Sequence, residues 1–311
     1  MDLSIITINY NLAKEIKECV DSVIDKLSGL EYEIIIVDNN SVEKESLGLS
    51  AEFQKEKYKN LQYYYLDKNV GFGKGCNFGA QKAKGNVLCF LNPDTLIKQN
   101  IFPELIAKLK ENKSIGMAGP CVTENNKLFD YSAGFFPNIF YELLNVFFVG
   151  RYFEAFTIKG KAKQNKAINV DWVMGAALFI KTDVFNKVGG FDKDYFLYFE
   201  EVDLCYKVIK SGYEIIYLPY VSVFHHGSLT VKKDYSFFTK MFYKSKLIFI
   251  KKRYPVFKKN IIQSLMLIQI FSQLFLWTAL LPLNKNKSLG KIKGLSSLIT
   301  MLFKNVAALR D

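Results

Sequence analysis

Two periods of hydrophobicity alternate along the first part of the chain. Leu3–Ile8 is a short apolar run that stops at Asn9 and Asn11, after which Leu12, Ile16, Val20, Val23, Ile24 and Leu27 return at three- and four-residue steps. The first pattern predicts a strand and the second a helix with one buried stripe, which Gly29 is placed to end. Glu33–Val37 is a β-branched run of the kind buried on both faces of a parallel sheet. A charged stretch from about Glu43 to Lys59 reads as a helix, and Leu61–Leu66 as a third strand. The glycine-rich segment 69–85 leads into a fourth strand, Val87–Leu91, followed by a helix over Ile101–Leu109 and a strand over Ile115–Ala118. Repeated β-α-β alternation predicts an α/β fold with a doubly wound, mostly parallel sheet flanked by helices. Such sheets bind ligands beyond the carboxyl ends of their strands.

Residues 121–170 are aromatic and lack a clear period, and order returns in 171–181, 191–213 and 214–228. The pattern places the end of a catalytic domain near Val231. That divides the chain into 1–231, with halves 1–119 and 120–231, and a basic, apolar helical tail, 232–311. The charge supports this division. The net charge of +12 is concentrated after residue 231, where 16 Lys and Arg face only Asp234 and Asp311. A near-neutral body with a basic, aromatic tail points to an anionic membrane surface. Nucleic acid is not expected as a partner, because no helix-turn-helix, zinc-finger or RNP pattern accompanies the charge.

Ile261–Leu283 carries no charged residue and is long enough to span a bilayer, yet it contains Gln263, Ser264, Gln269, Ser272 and Gln273 and is flanked by lysines on both sides. Upstream, 237–254 interleaves aromatics with lysines, as interfacial helices do. The favoured reading is a helix lying in or dipping into the cytoplasmic leaflet; a full span and a soluble packed helix are the alternatives. Five scattered cysteines suggest a reducing compartment, and the N-terminus does not read as a signal peptide.

Candidate chemistry clusters at predicted strand ends. Asp38 closes the second strand, where a carboxylate can accept hydrogen bonds from a base or ribose, or simply cap the next segment together with Ser41. Asn92-Pro93-Asp94 follows the fourth strand. Asp94 can hold Mg²⁺ or Mn²⁺ against substrate phosphates, although Asn-Pro-Asp is also ordinary turn chemistry. Glycines 71, 73, 75 and 79 do not have dinucleotide-fingerprint spacing; they read as allowing close backbone approach to a ligand, with Lys74 available to a phosphate. Glu200, Glu201 and Asp203 sit at a predicted helix start, where the dipole favours acids, but one of them could take a proton from an attacking hydroxyl. His225 and His226, the only histidines, end an apolar strand. No serine elbow, Walker lysine or zinc-hydrolase signature is present.

The ordered segments SIITINYN (4–11), IIIVDNNS (34–41), NVGFGKGCNFG (69–79), FLNPD (90–94), WVMGAALFIK (172–181), FDKDYFLYFEEVDLCYK (191–207) and HHGS (225–228) together resemble glycosyltransferase family 2, in its bacterial rhamnosyltransferase-like branch. The resemblance implies a GT-A fold and inverting transfer of a deoxysugar or hexose. The donor would be a nucleoside-diphosphate sugar and the acceptor a lipid-linked glycan, at the cytoplasmic face of a bacterial inner membrane. It implies nucleotide-sugar contacts from Asn9, Asp38, Asn40, Gly71, Gly73, Asn77, Asn92 and Asp94. The acceptor side would be shaped by Trp172, Gly175, Ala176 and Glu200. A divalent cation, Mg²⁺ or Mn²⁺, would be held by Asp94 and His225. Asn92 replaces the first acid of the family's DxD element, and Glu201 stands where the family's base aspartate usually does, with Asp203 as second candidate. Those two departures leave open a catalytically inactive sugar-nucleotide-binding or membrane-scaffold protein.

Overall fold

The fold was established from a computed structural model, which describes all residues except 43–45, 47, 125–126, 129–131, 163–165, 228–233 and 308–311. The expected boundary at Val231 lies outside the described residues. The chain forms two compact units. One comprises Met1–Phe136, Ala155–Phe196 and Glu200–Gly227; the other Pro137–Glu154, Leu197–Phe199 and Ser228–Asp311.

The first unit opens with β1 (Leu3–Asn9), α1 (Ala13–Lys26), β2 (Tyr32–Asp38), β3 (Leu61–Tyr65), α2 (Phe72–Lys82), β4 (Val87–Leu91) and β5 (Thr95–Leu96). Next come α3 (Phe102–Glu111) and β6 (Ile115–Glu124), then the two-residue strands β7 (Lys127–Leu128) and β8 (Ala133–Gly134). Helices α4 (Ile139–Val146) and α5 (Gly150–Ala162) follow. The chain returns through β9 (Ile168–Asn169), β10 (Trp172–Val173), β11 (Ala177–Lys181), α6 (Glu200–Lys210) and β12 (Glu214–His225). The large sheet has the order β3-β2-β1-β4-β11-β6-β12-β5. Neighbours β3, β2, β1 and β4 are parallel, as are β6 and β12, while β11 runs antiparallel to both β4 and β6.

Strand period two distributes the core to both faces of this sheet. Leu3, Ile5, Ile34 and Ile36 join the α1 and α3 stripes on one face; Ile6, Ile8, Ile35 and Val37 join Cys76 of α2 and Leu204, Cys205 and Val208 of α6 on the other. Both faces are dry, so the continuous apolar run in β2 is what a doubly covered strand requires.

Two local expectations are corrected. The charged stretch from Glu43 to Lys59 is not one helix: its described part holds a single turn, Leu49–Glu52, and a 3₁₀ turn, Glu56–Tyr58. Leu49, Phe53 and Tyr58 are its buried anchors, and the Phe53 and Tyr58 rings meet edge-on at 4.9 Å, which one continuous helix would not allow at a five-residue spacing. The glycine-rich segment, in turn, is mostly helix α2. A Cβ on Gly79 would lie 2.5 Å from Ile6 Cγ2 and one on Gly75 3.2 Å from Ile8 Cδ1. Those glycines let α2 approach β1, and Lys74 projects to the exposed side.

The second unit is helical: α4 with the start of α5, then α7 (Tyr235–Arg253), α8 (Val256–Ala279) and α9 (Lys285–Ala307). Asp234 caps α7, its Oδ1 accepting from Phe237 N at 2.9 Å, and Pro255 separates α7 from α8. Tyr243, Ile250, Ile262, Met266, Ile270, Leu295 and Leu298 form the core of this unit. Residues 137–154, from the aperiodic middle of the sequence, therefore fold with the tail. Among the described residues α8 alone is long and apolar enough to cross a membrane, and it buries the Ile262–Met266–Ile270 stripe inside the unit.

Candidate active site

The parallel strands β2, β1 and β4 end side by side, and their carboxyl edge carries the polar residues singled out in the sequence. Asp38, the last residue of β2, is almost fully buried. Its Oδ2 accepts from Asn9 Nδ2 at 2.7 Å and from Tyr63 OH at 2.8 Å, and its Oδ1 accepts from Ser41 N at 2.7 Å. The turn-capping and ligand readings are thus compatible, since a carboxylate keeps further lone pairs after these bonds. Burial, with Asp38 beside it, raises the Tyr63 phenol far above its ordinary range, so Tyr63 serves as a neutral donor. Asn40 follows exposed and left-handed at φ 64°.

Asn39, to which the sequence assigned no role of its own, ties this edge to the loop before α2. Its Nδ2 donates to Asn69 Oδ1 at 3.0 Å and Gly71 O at 3.3 Å, and its Oδ1 accepts from Val70 N at 2.9 Å. Gly71 is left-handed at φ 86°, and a Cβ there would meet Phe196 O at 2.4 Å. Gly73 is placed against Phe191 Cβ, 3.1 Å from its own would-be Cβ. Asn77 turns away from the strand edge: its amide clamps the Phe191 backbone, donating to Phe191 O and accepting from Phe191 N, both at 2.8 Å. Packing and this clamp account for Gly73 and Asn77 without a ligand.

On the other side of the edge, β4 ends and Asn92-Pro93-Asp94 turns the chain into β5. Asn92 N donates to Ala176 O at 2.9 Å, and the Thr95 hydroxyl reaches the same carbonyl at 3.3 Å. β5 then pairs antiparallel with the end of β12, Thr95 opposite His225. This register brings His225 Nε2 to 3.0 Å from Asp94 Oδ1 and 3.4 Å from Asn92 Nδ2. His226 N donates to Asp94 O at 3.0 Å, locking the two segments together. The side chains of His225 and Asp94 are only 12% and 14% exposed, and His225 Nδ1 has no hydrogen-bond partner among the described residues.

Asp94 supplies the carboxylate oxygen that a hard divalent cation takes, and His225 places an imidazole nitrogen beside it. The 3.0 Å between Asp94 Oδ1 and His225 Nε2 is the distance of a direct hydrogen bond or ion pair. Among the described residues no cluster of three or more His, Cys, Asp or Glu side chains could hold such an ion alone. Mg²⁺ is commonly held by one or two carboxylates with substrate phosphates supplying further oxygens, and Asp94 is the one carboxylate of this pair.

The carboxylates of α6 separate into distinct roles. Glu201 is half-buried and passes beside the 172–176 segment, its Cβ 3.5 Å from where a Gly175 Cβ would be. Burial raises its carboxyl pKa, while its own and Val202's backbone N–H groups pull the other way. Glu200 is fully enclosed near Gly73 and Cys76; burial and the neighbouring Glu201 charge raise its carboxyl well above the ordinary range. Neither Glu200 Oε2 nor Glu201 Oε2 has a hydrogen-bond partner among the described residues. Asp203 is fully buried and accepts from Tyr195 OH at 3.1 Å, which turns it into the protein. Trp172 donates through Nε1 to Phe135 O at 3.0 Å, and buried Ala176 contributes its carbonyl to the Asn92 turn. The structure therefore gathers Asn92, Asp94, Ala176 and His225 around one turn, with Glu201 beside Gly175 of the adjoining segment and Asn9 and Asp38 on the neighbouring strands.

A mixed, mostly parallel sheet with helices on both faces, its polar residues gathered at the carboxyl edge, is the architecture of the GT-A fold. The sequence profile of Glycosyl transferase family 2 matches residues 4–189, and the chain belongs to that family. It is 29% identical over 223 residues to rhamnosyltransferase WbbL of Escherichia coli, spanning 68% of this chain and 78% of the relative. A shorter match, 35% identical over 85 residues and covering 27% of this chain and 28% of the relative, is to the N-acetylglucosaminyl-diphospho-decaprenol L-rhamnosyltransferase of Mycobacterium tuberculosis. The fold is shared with a mannosyltransferase from Pyrobaculum calidifontis in complex with GDP-Man and Mn²⁺, at TM-score 0.61 and 15% identity over 98% of this chain and 86% of that one. It is also shared with S. aureus TarS 1-349 in complex with UDP, at TM-score 0.53 and 18% identity over 86% and 71% of the two chains. The chain is thus a glycosyltransferase of glycan synthesis, in the rhamnosyltransferase-like branch of its family.

Proposed function

We propose that the protein transfers a deoxyhexose or hexose, with inversion, from a nucleoside diphosphate to a hydroxyl of a lipid-linked glycan in bacterial surface polysaccharide synthesis. The observation that carries this reading is the Asp94–His225 pair, poised at 3.0 Å on the strand edge. Asp38, with Asn9 and Tyr63 holding it, is the acceptor for base or ribose hydroxyls, and Asn40, Gly71 and Asn92 line the same edge. Asp94 and His225 are the residues that would hold Mg²⁺ or Mn²⁺. When bound, such a cation supplies charge stabilisation for the departing diphosphate, where negative charge grows in the transition state.

Glu201 is the base in this reading. Its raised pKa brings it closer to the working pH than an ordinary carboxyl, which favours proton removal from an acceptor hydroxyl. The acceptor approaches along Trp172–Ala176. Asp203 holds the segment before α6 through Tyr195. The catalytic part lies within residues 1–231, and residues 232–311, with which 137–154 fold, contribute to membrane attachment at the cytoplasmic face, peripheral or monotopic. The relatives' names support the sugar and the lipid carrier: one is a rhamnosyltransferase and another an N-acetylglucosaminyl-diphospho-decaprenol L-rhamnosyltransferase.

The test is transfer by purified full-length protein, with Mn²⁺ or Mg²⁺ and a panel of nucleoside-diphosphate sugars, onto polyprenyl-diphosphate-linked acceptors. Product of inverted anomeric configuration is expected with a deoxyhexose or hexose donor. Neither transfer nor donor hydrolysis with any pair would overturn the proposal.

A further inference from the structure

The sequence between 121 and 170 has no clear period, and what it forms is unusual for a soluble protein. Helix α4 ends at Val146, and the chain reverses through Phe147, Phe148 and Val149 into α5 at Gly150. Turns between helices are normally polar. Here Phe147 is 66% exposed and Tyr152 73%, and Phe140, Leu143 and Val149 are exposed beside them. Contiguous exposed aromatic surface of this kind marks a binding face.

Three features show that the tip is built and not merely uncovered. Its backbone is internally satisfied: Phe147 N donates to Leu144 O at 3.2 Å, Phe148 N to Asn145 O at 3.1 Å, and Val149 N to Leu144 O at 3.1 Å, with Phe148 left-handed at φ 62°. A tip whose N–H groups need no water can enter a medium that offers none. The two limbs are joined by Phe140 and Phe153, edge-on at 5.5 Å. From beneath, Glu142 of α4 pairs with Lys246 of α7 at 2.7 Å, the two side chains only 2% and 7% exposed, and Asn138 Oδ1 caps α4 by accepting from Tyr141 N at 3.0 Å.

We infer that the 139–153 hairpin is a wedge that inserts its aromatic tip into the headgroup–acyl boundary of an anionic bilayer. Charge argues for that occupant. The hairpin belongs to the same compact unit as the tail, in which 16 Lys and Arg after residue 231 face two acids. Aromatic anchors on a unit of net positive charge are what interfacial binding to anionic lipid uses. The inference rests on the membrane-attachment reading above and adds an insertion site outside the tail that reading invoked.

The test uses full-length protein and vesicles of phosphatidylglycerol and phosphatidylethanolamine, with brominated acyl chains in parallel samples. In Phe147→Trp, measured as the difference from the parent with Trp172 and Trp277, the new indole's emission should shift to the blue on vesicles. Brominated lipid should quench it at least about twofold. Lys14→Trp, at an 82% exposed side chain of the other unit, should not respond. Phe147→Glu combined with Tyr152→Glu should weaken vesicle binding by about tenfold or more, as expected when two aromatic side chains lose their burial. Co-sedimentation of the protein with vesicles while the introduced indole stays unquenched would overturn the wedge and leave tail attachment standing. No co-sedimentation at all would sink both. A blue shift without vesicles that tracks dimerisation in sedimentation would assign the face to a second copy of the chain and equally overturn the wedge.

Discussion

His225 Nε2 stands 3.0 Å from Asp94 Oδ1 because the two-residue strand β5 pairs with the last residues of β12. Neither residue's own neighbourhood in the sequence specifies this. The pairing converts a turn aspartate and a strand-end histidine into one site at the carboxyl edge of the sheet.

If the two act as a unit on the departing diphosphate, Asp94→Asn should lower turnover by at least about a hundredfold, the scale of losing one electrostatic stabiliser. His225→Ala should fall in the same direction, and the double variant should cost little more than Asp94→Asn alone, since members of a unit are non-additive. Steady-state transfer assays with and without EDTA measure this. Rates unaffected by both the chelator and Asp94→Asn would remove the metal from the mechanism.

Glu201→Gln should abolish transfer and leave donor binding nearly intact, because the carboxamide keeps the shape and loses basicity. The base must be ionised to act, so rates should fall as pH drops through its pKa. Burial raises that pKa, so the acid limb of the kcat profile should lie above the ordinary carboxylate value of about 4.3. Asp203→Asn should lower stability through its bond to Tyr195 and keep that acid limb. An inactive, well-folded Asp203→Asn beside an active Glu201→Gln would exchange the two roles.

The doubly wound sheet was legible because its signals are local and mutually consistent: the β-branched run in β2, the α1 stripe and Asp38 at a strand end all follow from spacing alone. Within the glycine-rich segment, sequence does not distinguish a glycine that admits a ligand from one, such as Gly75 or Gly79, that admits a strand. Only the opposing Ile6 and Ile8 side chains decide. The hairpin at 139–153 was illegible for a different reason. Its aromatics are not divided between a core face and a water face, so no period appears. Asn39 and Tyr63 escaped notice because their part is to hold Asp38 and the 69–71 loop, through bonds made only in the fold.

Glu200 has a consequence for stability. Its folded-state pKa is raised well above the ordinary value, chiefly by burial. Below the unfolded pKa, about 4.3, both states are neutral and the group is silent. As pH rises above that value the unfolded chain ionises while the folded one resists, so stability falls, by at most about 1.4 kcal/mol per pH unit. Glu200→Gln removes this dependence. Its melting temperature relative to the parent should therefore increase between pH 5 and pH 8, as read by calorimetry. A variant no more stable than the parent at pH 8, with a pH-independent difference, would mean that Glu200 is ionised and compensated in the fold.

Gly79 separates the packing and ligand accounts of α2. A Cβ at this position lies 2.5 Å from Ile6 Cγ2, closer than real side chains approach, and in tight contact at 3.3 Å with Val37 Cγ2; both neighbours are fully buried β-branched strand residues. Overpacking of this kind costs about 1–3 kcal/mol, more than the small gain in helix propensity from glycine to alanine. Gly79→Ala should therefore lower the denaturation midpoint, while nucleotide affinity per folded molecule stays within about twofold. The control is Ile6→Ala, which destabilises by itself but vacates the space that the new methyl needs. The double variant should then be more stable than the sum of the single changes predicts, by a coupling of about 0.5–3 kcal/mol. Strict additivity, or a nucleotide affinity that collapses while the fold persists, would return the glycine to the ligand.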